Sequence, residues 1–174
     1  MNRLLLHSCC APCTVSVYKL LSKSFDTTLF WYNPNIHPIT EYKKRLNSFI
    51  DLTKIFGAKS IIKDEYVLDS FLQKIAFRES FRCNICYYER LKYGFSIAKS
   101  GKYDYFSTTL LYSKYQNHNK IVKTCKALSI EYGVDFFYQD FRNLWESGIK
   151  ESIENKFYRQ SYCGCIYSEH ERYR

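Results

Sequence analysis

Polar and apolar positions alternate along the chain in blocks that switch between two periods. Residues 3–8 carry the run Leu4-Leu5-Leu6, an apolar stretch that predicts a buried strand, and Pro12 falls where the first turn of a helix can begin. Val15, Tyr18 and Leu21, with Val17 and Leu20, give that helix an apolar side. Thr27 to Tyr32 predicts a second strand, ended by Asn33-Pro34-Asn35. Thr40 is the expected N-cap of a second helix whose stripe Tyr42, Leu46, Phe49, Ile50 and Thr53 stops before Gly57. Residues 59–62 predict a third strand and residues 68–75 a short helix. Ile85, Tyr88, Leu91, Phe95 and Ala98 mark the next helix, residues 103–111 a strand, residues 120–132 a helix, and residues 134–138 a last strand. Strands alternating with helices predict βαβ units and a parallel sheet, here followed by a helical, basic C-terminal third. No internal repeat or linker interrupts the series, so residues 1–174 are expected to form a single domain.

Composition narrows the class. Apolar residues make up 46% and Pro and Gly are sparse, which excludes a disordered or collagen-like chain. The three leucines near the N-terminus are too few for a signal-peptide core, and no later segment approaches the roughly 20 apolar residues of a membrane span. The expectation is a cytoplasmic protein with no membrane partner. Lys and Arg number 26 against 17 Asp and Glu, a net charge of +9 that favours polyanionic partners, nucleic acid first among them.

Eight cysteines in a reducing compartment are expected to serve metal or redox chemistry rather than disulfide staples, and seven of them are clustered: Cys9-Cys10-x-x-Cys13, Cys83-x-x-Cys86 and Cys163-x-Cys165. Cys9 and Cys10 fall in the first βα loop, at the carboxyl end of a strand, where open parallel sheets gather their ligands and where both sulfurs can turn toward one centre. Cys83 and Cys86 sit one turn apart near a helix start, which favours thiolate charge. Together Cys9, Cys10, Cys83 and Cys86 offer four thiolates, a set that suits a tetrahedral zinc ion or an iron-sulfur cube. Cys163 and Cys165, one residue apart across the permissive Gly164, can close a strained, labile disulfide or, with Cys13, hold a second metal ion. Cys125 lies on the apolar side of its helix and is expected in the core.

Longer blocks carry a resemblance. His7-Ser8-Cys9-Cys10-Ala11-Pro12-Cys13, Tyr32-Asn33-Pro34-Asn35-Ile36-His37-Pro38 and Tyr158-Arg159-Gln160-Ser161-Tyr162-Cys163-Gly164-Cys165 stand in order along the chain. Between them lie Glu41-Tyr42-x-x-Arg45, Cys83-x-x-Cys86-Tyr87-x-x-Arg90-Leu91 and Phe106-Ser107-Thr108-Thr109-Leu110-Leu111. Taken together they resemble the epoxyqueuosine reductase family of the QueH type, over nearly the whole chain. Lys114 departs from the pattern, standing where proline is expected after Ser113.

The resemblance implies a Rossmann-like α/β fold of the PP-loop and nucleotide-hydrolase group. It implies reduction of epoxyqueuosine to queuosine at the wobble position of tRNA, with an external electron donor. A [4Fe-4S] cluster on Cys9, Cys10, Cys83 and Cys86 is implied too, with Cys163 and Cys165 as the redox-active pair; a second metal, iron, on Cys13, Cys163 and Cys165 is the competing arrangement. The first βα loop has cysteines where a phosphate cradle needs Ser-Gly-Gly, which argues against ATP. The alternative from another class is a zinc-stapled, non-catalytic RNA-binding module. For the reductase, His7, His37, Tyr158 and Tyr162 are the candidate proton donors. Trp31, Tyr32 and Tyr162 are candidates to stack on an unpaired base. Lys43, Lys44, Arg45, Arg78, Arg82, Arg90, Arg142, Lys156 and Arg159 are candidates for phosphate contacts.

Overall fold

A computed structural model describes residues 1–174. Five strands, β1 (Arg3–His7), β2 (Asp26–Trp31), β3 (Lys59–Ile62), β4 (Tyr105–Thr108) and β5 (Asp135–Phe136), form one sheet in the order β3-β2-β1-β4-β5, and every pairing is parallel. Seven helices flank it: α1 (Ala11–Leu21), α2 (Ile39–Phe56), α3 (Leu68–Ile75), α4 (Arg82–Ser100), α5 (His118–Tyr132), α6 (Trp145–Glu154) and α7 (Ile166–Tyr173). The fold is α/β and Rossmann-like with a helical C-terminal part, as the alternating pattern predicts.

The central strand explains itself. β1 is hydrogen-bonded on both edges, with Leu6 opposite Leu29 of β2 and Ser107 of β4, and Leu4, Leu5 and Leu6 are fully buried. Strands covered on both faces read as continuous apolar runs, which is why no alternation marks this one. α1 packs with α2 and α6, and α4 packs with α5. α4 approaches the sheet at Gly94, where an added Cβ would lie 2.6 Å from the Phe106 ring. One core of 32 buried residues runs through these layers and includes Cys125, which lies there as a small apolar side chain.

Several boundaries differ from expectation for local reasons. α2 begins at Ile39 after Pro38, two residues before the position that a Thr40 cap requires, because Tyr42 N–H donates to the Pro38 carbonyl at 3.1 Å. β4 stops at Thr108 because its hydroxyl accepts from Leu110 N–H and turns residues 109–111 into a 3₁₀ helix. β5 is shorter than residues 134–138, ending at Phe136 on the sheet edge. On α4 the buried face is Tyr87, Arg90, Leu91, Gly94, Phe95 and Ala98, so Ile85 and Tyr88 fall off the stripe and an arginine falls on it.

Candidate metal centre

The strand order reverses between β1 and β4, and the crevice at such a switch point is where open α/β sheets bind ligands. β1 runs out of His7 and Ser8 directly into Cys9 and Cys10. Cys10 is the N-cap of α1: its backbone is extended, and its sulfur accepts the Cys13 N–H at 3.3 Å. Pro12, which has no N–H to satisfy, fills the first turn beside it. That capping turn brings Cys13 round to the loop thiols, so the sulfurs of Cys9, Cys10 and Cys13 lie within 4.8 Å of one another. From the end of β4, the Thr109 hydroxyl accepts the Cys9 N–H at 3.0 Å and donates to the Cys9 sulfur at 3.2 Å.

The three thiols differ in acidity. Bonds from Cys10 and then Cys13 hold the Cys9 thiol well below its ordinary range against the opposing effect of burial, with help from the Arg90 charge. Burial pushes Cys10 up; Cys13 is raised by its bonds to Cys10 and Cys9 and by burial. The metal-free site therefore favours one thiolate stabilised by two neutral thiols. Three soft donors, that thiolate among them, suit a thiophilic metal, and the triad can bind one.

The other thiols approach from separate elements. Cys83 and Cys86 stand in the first two turns of α4, Cys83 exposed and Cys86 half-buried. Burial raises the Cys86 thiol to about 12, and the neighbouring Cys163 and Cys165 push the same way. Cys163 and Cys165 are free thiols: the Cys163 sulfur accepts from Gln116 Nε2 at 3.1 Å, and the Cys165 sulfur caps α7 by accepting Ser168 N–H at 3.4 Å. A cleft of about 670 Å³ is lined by Cys9, Cys13 and Cys163 together with Arg45 and Arg90. The tight triad thus contains Cys13 and not the Cys83/Cys86 pair, and Pro12 in the first turn of α1 and the capping turn are the local signals for it.

A buried network fixes the loop that carries Cys163. Arg45 donates to Glu41 Oε1 at 2.8 Å, to the Cys163 carbonyl at 2.8 Å and to the Tyr162 carbonyl at 3.0 Å. Glu41 in turn accepts the Tyr158 hydroxyl at 2.6 Å. His37 N–H donates to the Gly164 carbonyl, the Tyr162 hydroxyl donates to the His37 carbonyl, and Ile166 N–H donates to His37 Nδ1. Gly164 holds φ +156°, and a Cβ there would lie 3.3 Å from both the Arg45 and the Asn35 side-chain nitrogens, so two independent constraints require glycine.

These contacts correct several expectations. Arg45 and Arg90 are buried and committed to internal partners, so neither reaches a phosphate; Arg82 and Arg142 pair with Glu171 and Asp140, while Lys43, Lys44, Arg78, Lys156 and Arg159 remain exposed. Trp31 is fully buried against Tyr42 and Phe49 and cannot stack on a base. Tyr32 is half-buried against Tyr93, and Tyr162 lines the cleft. Among the candidate proton donors, His7 is fully buried with both ring nitrogens engaged, Nε2–H donating to the Tyr32 carbonyl and Nδ1 accepting from Thr108, and the Tyr158 and Tyr162 hydroxyls are already donated. Exposed aromatics that sequence periodicity passes over include Phe77, at 99% exposure, and Phe81, both just ahead of Cys83, and Tyr115 on the cleft wall.

Burial lowers both His7 and His37 to about 4. The unfolded chain, with histidines near 6.5, therefore binds more protons than the folded one between about pH 6.5 and pH 4, and stability present above that window is lost as pH falls through it. Protonating His37 would also set Nδ1–H against the Ile166 N–H that it now accepts. Melting of the metal-free protein from pH 7 down to pH 4 is expected to lose about 3 kcal/mol for each histidine, and His37→Gln to remove its share of the slope.

Fold and site together define an α/β protein that collects thiols into a cleft at the switch point of a parallel sheet, three of them close enough together to bind a metal. The profile of the family described as Epoxyqueuosine reductase QueH matches residues 4–171, and the chain belongs to that family. It is 37% identical over 172 residues to the epoxyqueuosine reductase QueH of Dehalococcoides mccartyi, covering 98% of this chain and 94% of the relative. The proteins of the same name from Thermotoga maritima and Haemophilus influenzae are each 34% identical; the alignments cover 99% and 96% of this chain, and 93% and 71% of those relatives. No helix is long and apolar enough to cross a membrane.

Proposed function

We propose that this chain, acting as one domain in the cytoplasm, is an epoxyqueuosine reductase that converts epoxyqueuosine in the tRNA wobble position to queuosine. The observation that carries the reading is the cysteine triad at the switch point, opening into a cleft large enough for a modified base and lined at its other side by Cys163. Family membership and the net charge of +9 support it.

Turning the epoxide into an alkene removes one oxygen as water and takes up two electrons and two protons, so an external electron donor is part of the proposal. Cys9 and Cys10, with Cys83 and Cys86 from α4, are the four thiols that would hold a [4Fe-4S] cluster, which when bound supplies electrons one at a time. Cys163 and Cys165 would serve the departing oxygen, either as a dithiol whose oxidation to a disulfide supplies both electrons and both protons and which the external donor re-reduces, or, with Cys13, as ligands of a second iron. Arg45 and His37 hold the Cys163 loop against the cleft wall, and the exposed Phe77, Phe81 and Arg78 stand where unpaired nucleotides and their phosphates can rest.

The test is anaerobic incubation of the metal-loaded protein and a reductant with tRNA carrying epoxyqueuosine, followed by nucleoside mass spectrometry. Conversion to queuosine is expected, with at least a hundredfold loss in Cys163→Ser. A Cys163→Ser protein as fast as the parent removes the role of that thiol. A colourless, zinc-containing, inactive protein would replace the reductase reading by that of a zinc-stapled RNA-binding module.

A further inference from the structure

Two arginines line the cleft from inside the protein, and their charges are treated differently. Arg45 has a carboxylate partner, Glu41, one helical turn away. Arg90, on the buried face of α4 and only 3% exposed, has no carboxylate within 4.0 Å. Its Nη2 donates to Asn33 Oδ1 at 2.8 Å, its Nη1 reaches the Cys86 sulfur at 3.5 Å, and its Nε is buried without a partner. Asn33 is itself anchored, donating to the Ser8 carbonyl at 2.9 Å, so the guanidinium is tied to the end of β1 from which Cys9 and Cys10 emerge.

A guanidinium does not shed its proton to escape burial, and an unpaired buried charge is strongly unfavourable. Some anion must therefore balance Arg90. The sulfur nearest it is that of Cys86, 3.5 Å from Nη1, and Cys9 lines the same cleft as the guanidinium. Those two thiols come from different elements, α4 and the first βα loop, and Arg90 lies on the cleft wall that they share.

We propose that Arg90 is the built-in counter-cation of the sulfur centre: a positioning residue whose fixed charge, braced by Asn33, selects a net-anionic thiolate–metal assembly between Cys9 and Cys86 and makes it easier to reduce. The inference deepens the reductase reading and rests on it for the word "reduce"; the selection of an anionic assembly stands for any thiolate-bound metal.

The experiment compares the parent chain with Arg90→Gln, which keeps a polar donor but carries no charge, and Arg90→Lys, which keeps the charge. Each is melted metal-free, then loaded anaerobically with iron and sulfide and titrated with a reductant while absorbance and electron paramagnetic resonance record the reduced fraction. R90Q is expected to fold metal-free like the parent, since its thiols can reprotonate. Once loaded, its reduced-to-oxidised ratio at a fixed donor potential is expected to fall roughly tenfold, a 59 mV shift for a one-electron centre, while R90K stays near the parent. R90Q that takes up no metal while R90K loads also supports the proposal, because charge is then the requirement. An R90Q protein that unfolds without metal makes Arg90 a brace of the fold and overturns the proposal. Parent-like reduction of loaded R90Q, or failure of both variants to load, overturns it as well. Should the parent itself take up no redox-active group, the reductase reading fails separately, and zinc affinity of the same three proteins decides the counter-charge: a roughly tenfold loss in R90Q alone sustains it, and equal affinities overturn it.

Discussion

Cys10→Ser is expected to leave the fold standing while the centre loses its metal. Cys10 caps α1 through its sulfur, and serine is among the preferred N-cap residues, so the hydroxyl can take over the Cys13 N–H and hold the helix start. What serine does not replace is a soft donor in a triad whose sulfurs sit within 4.8 Å of one another. Losing an outer partner of a metal ligand costs about 10–100-fold in metal affinity, and losing the ligand itself is expected to cost more. Thermal melting of the metal-free protein should shift by a few degrees at most, whereas metal content after anaerobic loading, and with it reductase activity, should collapse. Retention of parent metal content would show that Cys10 serves only as a cap.

Arg45→Met is the substitution expected to cost the most stability. Arg45 and Glu41 are both buried, and removing one partner of such a pair leaves an uncompensated charge, at a cost of about 3–5 kcal/mol in denaturant unfolding. Adding Glu41→Gln should return part of that loss, because the double variant buries no lone carboxylate. A local effect accompanies the global one. The carbonyls of Tyr162 and Cys163 lose their donor, so iodoacetamide should alkylate Cys163 faster in Arg45→Met even under conditions where the protein remains folded. An unchanged alkylation rate would mean that His37 alone seats the loop.

How much of this was legible beforehand differs by element. β1 and β2 announce themselves because doubly covered parallel strands carry continuous apolar runs, Leu4-Leu5-Leu6 in one and Leu29-Phe30-Trp31 in the other. The placement of Cys9 and Cys10 in the first βα loop, at the carboxyl end of a strand, follows from the strand alternation, whereas the strand order that makes this loop the switch point does not. α4 was legible as a helix but not in its rotation: its stripe was read through Ile85 and Tyr88, whereas Tyr87 and Arg90 are the residues turned inward. Basic residues are exposed so often that Arg45 and Arg90 were natural candidates for phosphate contacts. Their burial depends on partners distant in sequence, Cys163 at one site and Asn33 at the other, which no local pattern displays. The Glu41 to Arg45 spacing was the one available hint, and it is equally common on solvated helix faces. That the Cys13 sulfur returns to those of Cys9 and Cys10 is a property of a helix cap, a backbone geometry that composition does not encode.

Two of the thiols have a second occupation. Cys10 and Cys165 each hold the opening turn of a helix by receiving a backbone N–H on sulfur, at 3.3 Å in α1 and 3.4 Å in α7. Over-oxidation to a bulky sulfinate or sulfonate at either position therefore damages architecture along with chemistry, because the enlarged group no longer fits over the amide it was closing. An oxidised molecule would frail at the starts of α1 and α7 before it lost its sheet, and accelerated amide exchange at Cys13 and Ser168 would mark it as spent.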